Sequence, residues 1–177
     1  MSTENMFTDI PVNEINLNPF SIVRDNWAVL AAEDNRGINA MTIGWIGFGT
    51  IWDYNTVTVF VKPERYTKSF VDNADHFSVT LFDGYKRNLA FLGSRSGKDS
   101  DKITESGLHM CKDGELITFE EGTVAFLCKK VFCAELDNQF FDKSIDERIY
   151  KNGLYHTMYI GGIERIVGKQ KSALLPG

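Results

Sequence analysis

The sequence predicts a mainly β protein with short helices, folded as an antiparallel barrel or sandwich. Segments of strand length, rich in β-branched and aromatic residues, recur along the chain. The clearest covers residues 56–61, where Val57, Val59 and Val61 share one face. Only brief helical patterns separate these segments, whereas parallel strands need crossovers of roughly a dozen residues or more. The strands are therefore expected to pair antiparallel.

The first 20 residues are polar with scattered apolar positions, and we expect them to form an arm lying on the body. Residues 21–177 are then one domain, as the length of the chain suggests. A strand over 26–33 and a return strand over 38–45 are predicted to form a hairpin. Its turn ends in Gly37, which can adopt a positive φ.

The strand over 56–61 ends at Lys62-Pro63, and a helix is predicted over 64–73 with Pro63 in its first turn. The remaining predicted elements are a strand over 76–82, a helix over 85–92, a polar loop over 93–101, a short helix over 103–108, strands over 115–119 and 123–136, a less regular segment over 138–150 and a last strand over 156–163.

The charge, the apolar runs and the cysteines of the chain exclude several classes of partner and site. The net charge is -5 over 177 residues, which argues against nucleic acid because phosphate-backbone binders need a basic surface. No apolar run approaches the roughly 20 residues of a membrane span, and no secretory signal is visible. The cysteines Cys111, Cys128 and Cys133 form no Cys-x-x-Cys pair, so neither a disulfide framework nor a zinc site is predicted. Reduced thiols, and hence a cytoplasmic location, are expected.

The start of the helix over 64–73 is a candidate phosphate site. Arg65 and Ser69 are four residues apart on one face, Lys68 lies beside them, and Thr67 is within reach of the same point. A phosphate would meet a guanidinium, hydroxyls and the free N–H groups of a helix N-terminus. The alternative is a solvated helix start with ordinary surface charge.

The segment over 39–45 is a candidate wall for a flat heterocycle. Thr42 and Gly44 at a strand end can present a hydroxyl and backbone N–H groups to the polar edge of such a ring, and Trp45 can stack on it. The alternative is that Met41, Ile43 and Trp45 form one stripe that faces the core.

Three motifs, in this order and spacing, resemble the flavin reductase-like family of FMN-binding split barrels, which includes the flavoredoxins. The matching residues are Asn39, Met41, Thr42, Gly44 and Trp45; then Arg65, Tyr66, Thr67 and Ser69; then Gly93-Ser94-Arg95-Ser96-Gly97-Lys98, followed by Asp101-Lys102 and Ser106-Gly107-Leu108. The resemblance extends from about residue 27 to residue 167. It implies a six-stranded antiparallel split barrel, a homodimer and one FMN per subunit near the dimer interface.

The resemblance also implies roles for the three motifs. The first lines the isoalloxazine ring, the second takes the phosphate, and the third closes over the ribityl and phosphate end. The cofactor-binding residues expected on this basis are Asn39, Met41, Thr42, Ile43, Gly44, Trp45, Arg65, Tyr66, Thr67, Ser69, Ser94, Arg95, Ser96, Gly97 and Lys98. Two departures stand out: Leu92 replaces a cysteine that relatives often carry, and Gly161-Gly162-Ile163-Glu164 matches the family's Gly-Glu-Ile ending only loosely.

The function that the resemblance implies is an oxidoreductase. Bound FMN would accept a hydride from NADH or NADPH and pass electrons to a second acceptor, such as free flavin, a ferric complex or a redox partner protein. The alternative is a flavoredoxin-type electron-transfer protein without a nicotinamide site. A third hypothesis is a barrel that binds another phosphorylated ring, such as pyridoxal phosphate.

No catalytic side chain is predicted. The sequence shows no serine–histidine–aspartate order and no defensible pair of catalytic carboxylates. His76, His109 and His156 lack metal-ligand spacing, although His156 opens a strand that could approach the flavin. Phe140-Phe141 is a candidate dimer surface.

Overall fold

The computed structural model describes residues 7–169, and its strands pair antiparallel. The strands are β1 Thr8–Asp9, β2 Ala28–Asp34, β3 Gly37–Ile43, β4 Ile46–Ile51, β5 Tyr54–Val61, β6 His76–Phe82, β7 Met110–Asp113, β8 Leu116–Phe119, β9 Gly122–Glu135 and β10 Thr157–Gly168. The helices are α1 Pro19–Asn26, α2 Tyr66–Asn73, α3 Lys86–Ser94, α4 Lys102–Glu105 and α5 Lys143–Ile149.

The main sheet has eight strands and is not closed. Seven of them follow the order β3-β2-β6-β9-β10-β5-β4, and β1 adds to β10. The expected six-stranded count is therefore wrong, because β1 and β4 were not anticipated from the sequence. In β4, Gly47 and Gly49 lower the β propensity of a segment of only six residues. The strands β7 and β8 form a separate two-stranded sheet.

The core lies between the faces of this curved sheet. Val57, Val59 and Val61 on β5 are completely buried, which confirms the alternation predicted for that strand. Phe77 on β6 and Tyr159 on β10 fill the centre of the same cluster. A second cluster, on the other side of β2 and β3, buries α3 through Leu89 and Leu92.

Residues 7–18 pair with the end of β10 through β1 and lead into a helix that was not predicted from the sequence. Ile10, Ile15 and Leu17 pack against the core, and the N–H of Ile10 donates to the carbonyl of Ile166 at 2.9 Å. Asn18 then caps α1 by accepting from the N–H of Phe20 at 3.0 Å, with Pro19 in the first turn. The predicted end of the arm at residue 20 therefore falls inside a helix.

Other boundaries shifted for local reasons. Pro63 precedes α2 instead of lying in its first turn, because the chain first makes a turn in which the N–H of Arg65 donates to Lys62 O at 3.1 Å. Within the segment predicted to be less regular, Asp142 caps α5. The last strand continues to Gly168, past the predicted end at residue 163, with two register shifts on the way.

Three hairpin connections include residues with positive φ, and in the one between β7 and β8 this residue is Gly114, with a φ of 59°. Gly37, after the β2–β3 turn, has a φ of 113°, as predicted. The β4–β5 turn consists of Trp52 and Asp53, whose φ values are 52° and 63° although neither is glycine. Within residues 7–169, no helix has the length and apolar character needed to cross a membrane.

Candidate functional site

The turn between β5 and α2 leaves the Arg65 side chain half-buried, with one edge of its guanidinium enclosed by the protein. Its Nη2 atom is enclosed and has no hydrogen-bond partner among the described residues. Burial lowers the pKa of Arg65, while the nearby charge of Glu64 acts in the opposite direction. Because a buried donor without an acceptor costs roughly 1–3 kcal/mol, this atom is available to a ligand oxygen.

Lys102 provides a second buried cation near Arg65. It lies in the first turn of α4, is only 3% exposed, and its Nζ donates to the carbonyl oxygen of Arg95 at 3.3 Å. Burial and then the charge of Arg65 lower the pKa of Lys102 to about 8. Buried charges in proteins are normally paired. Neither Lys102 nor Arg65 forms an ion pair with a carboxylate in residues 7–169, so the two neighbouring cations together are suited to bind an anion.

The three predicted motifs meet around Asn39. The hydroxyl of Thr67, on α2, donates to Asn39 Oδ1 on β3 at 3.1 Å. Gly97, in the loop after α3, packs so tightly on the Asn39 amide that a Cβ at this position would overlap Nδ2. The loop can approach this closely because residue 97 is glycine. Strand, helix and loop therefore form one continuous site.

On the α2 side of the site, the protein itself provides hydrogen-bond partners for some of the predicted residues. The hydroxyl of Ser69 donates to the Tyr66 carbonyl at 3.0 Å and accepts from Nη2 of Arg36 at 3.1 Å. Arg36 also bonds Asp34, which holds the pKa of that carboxyl well below its usual range. No local sequence pattern predicts a role for Arg36, because only the fold brings the β2–β3 turn to α2. Lys98 Nζ lies 5.4 Å from the centre of the Tyr66 ring.

Several predicted loop residues hold the loop or its helix in place. Ser94 Oγ donates to the Phe91 carbonyl at 2.9 Å, at the end of α3. The guanidinium of Arg95 lies 5.4 Å from the Phe91 ring. Ser96 Oγ accepts from the N–H of Lys98 at 3.2 Å. Their side chains thus shape the loop that covers Asn39 and Lys102.

On β3, part of the first motif faces the core, as in the alternative in which Met41, Ile43 and Trp45 form one core-facing stripe. The side chains of Met41 and Ile43 are buried in the core. The hydroxyl of Thr42 donates to the Leu89 carbonyl at 2.6 Å, so it anchors α3. The stripe ends at Trp45, which is 45% exposed, and Gly44 is exposed as well. The accessible part of this segment is therefore the backbone at Gly44 and the indole of Trp45.

Trp45 stacks on His156, with ring centroids 4.4 Å apart. His156 is only 6% exposed, and its Nδ1 lies 2.9 Å from the hydroxyl oxygen of Tyr150. Burial and the charge of Lys62 lower the pKa of His156, whereas Glu64 opposes them. Since Lys62 and Glu64 belong to the turn that carries Arg65, the aromatic wall adjoins the cation site.

The remaining candidates from the sequence lie elsewhere or form no site. His76 pairs with Glu164 at 3.0 Å, and His109 pairs with Glu121 at 2.6 Å. No group of side chains within residues 7–169 has the arrangement of a metal site. Phe140 is 81% exposed, whereas Phe141 stacks on Tyr150 at 5.1 Å.

The fold is shared with solved flavoproteins. An FMN-binding domain of a flavin reductase-like enzyme from Shewanella baltica matches with a TM-score of 0.67 and 11% identity, covering 93% of this chain and 78% of that one. Flavoredoxin from Methanosarcina acetivorans matches with a TM-score of 0.64 and 19% identity over 82% of this chain and 69% of that one.

A third structure extends the comparison to a nicotinamide-using enzyme. The NADH:FAD oxidoreductase of Streptomyces globisporus, solved with NAD and FAD fragments, has a TM-score of 0.61 and 9% identity, covering 83% of this chain and 76% of that one. No protein-family model matches this sequence, and neither does any curated protein. The chain therefore has the fold of FMN-binding flavin reductase-like and flavoredoxin split barrels.

Proposed function

We propose that the protein binds FMN and works as an NAD(P)H-dependent, flavin reductase-like oxidoreductase. The observation that carries this proposal is the enclosed Nη2 of Arg65 beside the buried ammonium of Lys102. A phosphate dianion supplies a negative charge to both groups and an acceptor oxygen to Nη2 of Arg65. Structures with this fold that bind FMN or FAD support the choice of ligand.

The residues present fit FMN. The phosphate would be held by Arg65 and Lys102, with Thr67 and the first N–H groups of α2 beside it. The loop Ser94, Arg95, Ser96, Gly97 and Lys98 would close over the ribityl and phosphate end. The ring would lie along the segment Asn39–Trp45, against the exposed backbone of Gly44 and the indole of Trp45. Met41 and Ile43 would support this strand from the core, and Thr42 would anchor its other face to α3.

FMN, when bound, supplies the chemistry of accepting a hydride and passing electrons to a second acceptor, so no acid or base side chain is required. The chain's own residues bind the phosphate, orient the ring and exclude water from one side of it. A second flavin, a ferric complex or a redox partner protein would be the acceptor. The likeness to a flavoredoxin favours one alternative, an electron carrier without a nicotinamide site.

We also propose that the active form is a homodimer. Ile51, Trp52 and Tyr54 at the β4–β5 turn are exposed, and Trp52 lies 5.9 Å from the partly exposed ring of Phe132. The adjoining β4 is the last strand of the sheet and carries no charged residue over Ile46–Ile51. Uncharged edge strands are normally covered. A second copy of the chain would cover this surface, and light scattering should give a dimer mass that Trp52→Ser lowers to a monomer.

The test of the flavin proposal is the visible spectrum of the purified protein with FMN, followed by anaerobic NADH and then NADPH. Prompt bleaching of the flavin bands by one nucleotide supports the reductase. Bands that persist with both nucleotides but bleach with dithionite indicate the electron carrier. A protein that takes up no FMN contradicts both.

Arg65→Ala tests the phosphate assignment directly. Loss of a charge-assisted hydrogen bond should weaken FMN binding by about 1.5–3 kcal/mol. Arg24→Ala is the matched control, because that side chain is exposed and pairs with Asp25. Equal affinities for the two variants would contradict the assignment.

A further inference from the structure

Tyr150 contacts His156 through its hydroxyl. The phenolic oxygen lies 2.9 Å from Nδ1, and this hydroxyl makes no other hydrogen bond to residues 7–169. Because Tyr150 is only 5% exposed, its hydroxyl proton needs a protein acceptor, and Nδ1 is the one within reach. The phenolic proton is then directed to Nδ1, and the imidazole carries its own proton on Nε2.

The surroundings favour a neutral imidazole. His156 is buried, and the charge of Lys62 acts on it against that of Glu64. The imidazole makes its polar contact through Nδ1. Its other nitrogen, Nε2, forms no hydrogen bond to the described residues. The Nε2–H group is therefore free to donate to an acceptor that comes from outside the chain.

The phenol is fixed in place by its neighbours. Tyr150 follows α5, and its N–H donates to the Asp146 carbonyl at 3.0 Å. Its ring stacks on Phe141 at 5.1 Å and lies 4.9 Å from the ring of Tyr155. The direction of the hydroxyl is thus set by packing around the whole ring, and it does not depend on a ligand.

We propose that Tyr150 is a positioning residue that fixes His156 as an Nε2–H donor, stacked beside Trp45, for a carbonyl oxygen of the planar heterocycle bound there. The identity of that heterocycle rests on the proposed function. The tautomer does not, because it follows from contacts within the chain. A structural role for Tyr150 alone would leave both the tautomer and the affinity for the ring unchanged when the hydroxyl is removed.

Tyr155 provides a matched control within the same aromatic group. Its hydroxyl donates to Asp146 at 2.8 Å instead of contacting His156. Tyr150→Phe and Tyr155→Phe each remove one oxygen from neighbouring rings and retain the ring packing. The chain has three histidines, so His156→Gln identifies the His156 signals by their loss.

The experiment is a long-range ¹⁵N–¹H correlation spectrum of the flavin-free protein near neutral pH. The wild type and Tyr155→Phe should show His156 as the Nε2–H tautomer, and Tyr150→Phe should show a mixture of the two tautomers. An Nδ1–H tautomer in the wild type, or no change in Tyr150→Phe, overturns the positioning role.

FMN titration of the same variants tests the donor role. Tyr150→Phe should weaken binding about three- to tenfold, as loss of one oriented hydrogen bond does, and Tyr155→Phe should match the wild type. Equal affinity in Tyr150→Phe and the wild type overturns the donor role. If the wild type takes up no FMN while its tautomer responds to Tyr150→Phe, the proposed function fails and the positioning role stands.

Discussion

Gly97 packs against the amide of Asn39, and a Cβ at position 97 would overlap Asn39 Nδ2. Asn39 cannot easily move away, because its Oδ1 accepts from the Thr67 hydroxyl at 3.1 Å. The loop over 94–101 and the start of α2 are therefore joined through one buried amide.

Gly97→Ala should open this loop. The added methyl forces the loop away from Asn39, and Lys102, whose Nζ bonds the carbonyl of Arg95 in the same loop, shifts with it. We expect FMN affinity to fall at least about tenfold, equivalent to about 1.4 kcal/mol, by titration of flavin fluorescence. Arg24→Ala is the control, since that side chain is exposed on α1 and pairs with Asp25. Similar losses in both variants would show that the loop contact is unimportant for binding.

Lys102→Met should change stability and binding in opposite directions. The ammonium is buried beside Arg65 without a carboxylate, so an apolar side chain of similar length should stabilise the flavin-free protein by about 1–3 kcal/mol. FMN affinity should fall, because the phosphate loses a cation. Urea unfolding without flavin, together with flavin titration, measures both effects. A variant that is less stable and binds equally well would assign Lys102 a purely structural role.

The titration of Lys102 also predicts a pH dependence. Its pKa falls from 10.5 to about 8 on folding, so between these values the unfolded chain binds more protons than the folded one. Stability without flavin should therefore gain a contribution as the pH rises from about 8 to 10.5. Affinity for FMN should decline over the alkaline range, because a neutral amine binds phosphate weakly. Loss of both trends in Lys102→Met would confirm their origin, and their persistence would exclude it.

The backbone of the β4–β5 turn leads to a prediction about stability. Asp53 has a φ of 63°, and two-residue hairpin turns with positive φ favour glycine at the second position. Asp53→Gly should raise the free energy of unfolding by roughly 0.5–1 kcal/mol. The comparison is Asp83→Gly, on the surface before α3. A loss of stability in Asp53→Gly would mean that the aspartate makes a compensating contact.

The sequence supported the parts of the fold that depend on local pattern. The alternation of Val57, Val59 and Val61 identified β5, and Gly37 marked the end of a hairpin turn. The helix α1 has a readable signal, Asn18 followed by Pro19, but the polar character of residues 1–20 favoured an arm. The strand β4 was missed because its two glycines weaken the pattern.

The sequence predicts the three motifs of the candidate site but not how they come together in space. Their meeting around Asn39 involves residues far apart in the chain. The burial of Lys102 and the contact of Arg36 with Ser69 depend on packing between distant segments, so no local pattern reveals them. Conversely, Thr42 matched a motif, but its hydroxyl is used by the backbone of α3.

The buried cations have a consequence for how much protein a cell retains. An anion that binds only the folded chain raises the free energy of unfolding by mass action, by about 2.7 kcal/mol at a hundredfold excess over Kd. For a chain that holds Arg65 and Lys102 close together, the form without a bound anion is the one exposed to quality control. Under the proposed function, the cellular level of this protein should follow the supply of FMN, with newly made chains degraded faster when FMN is scarce.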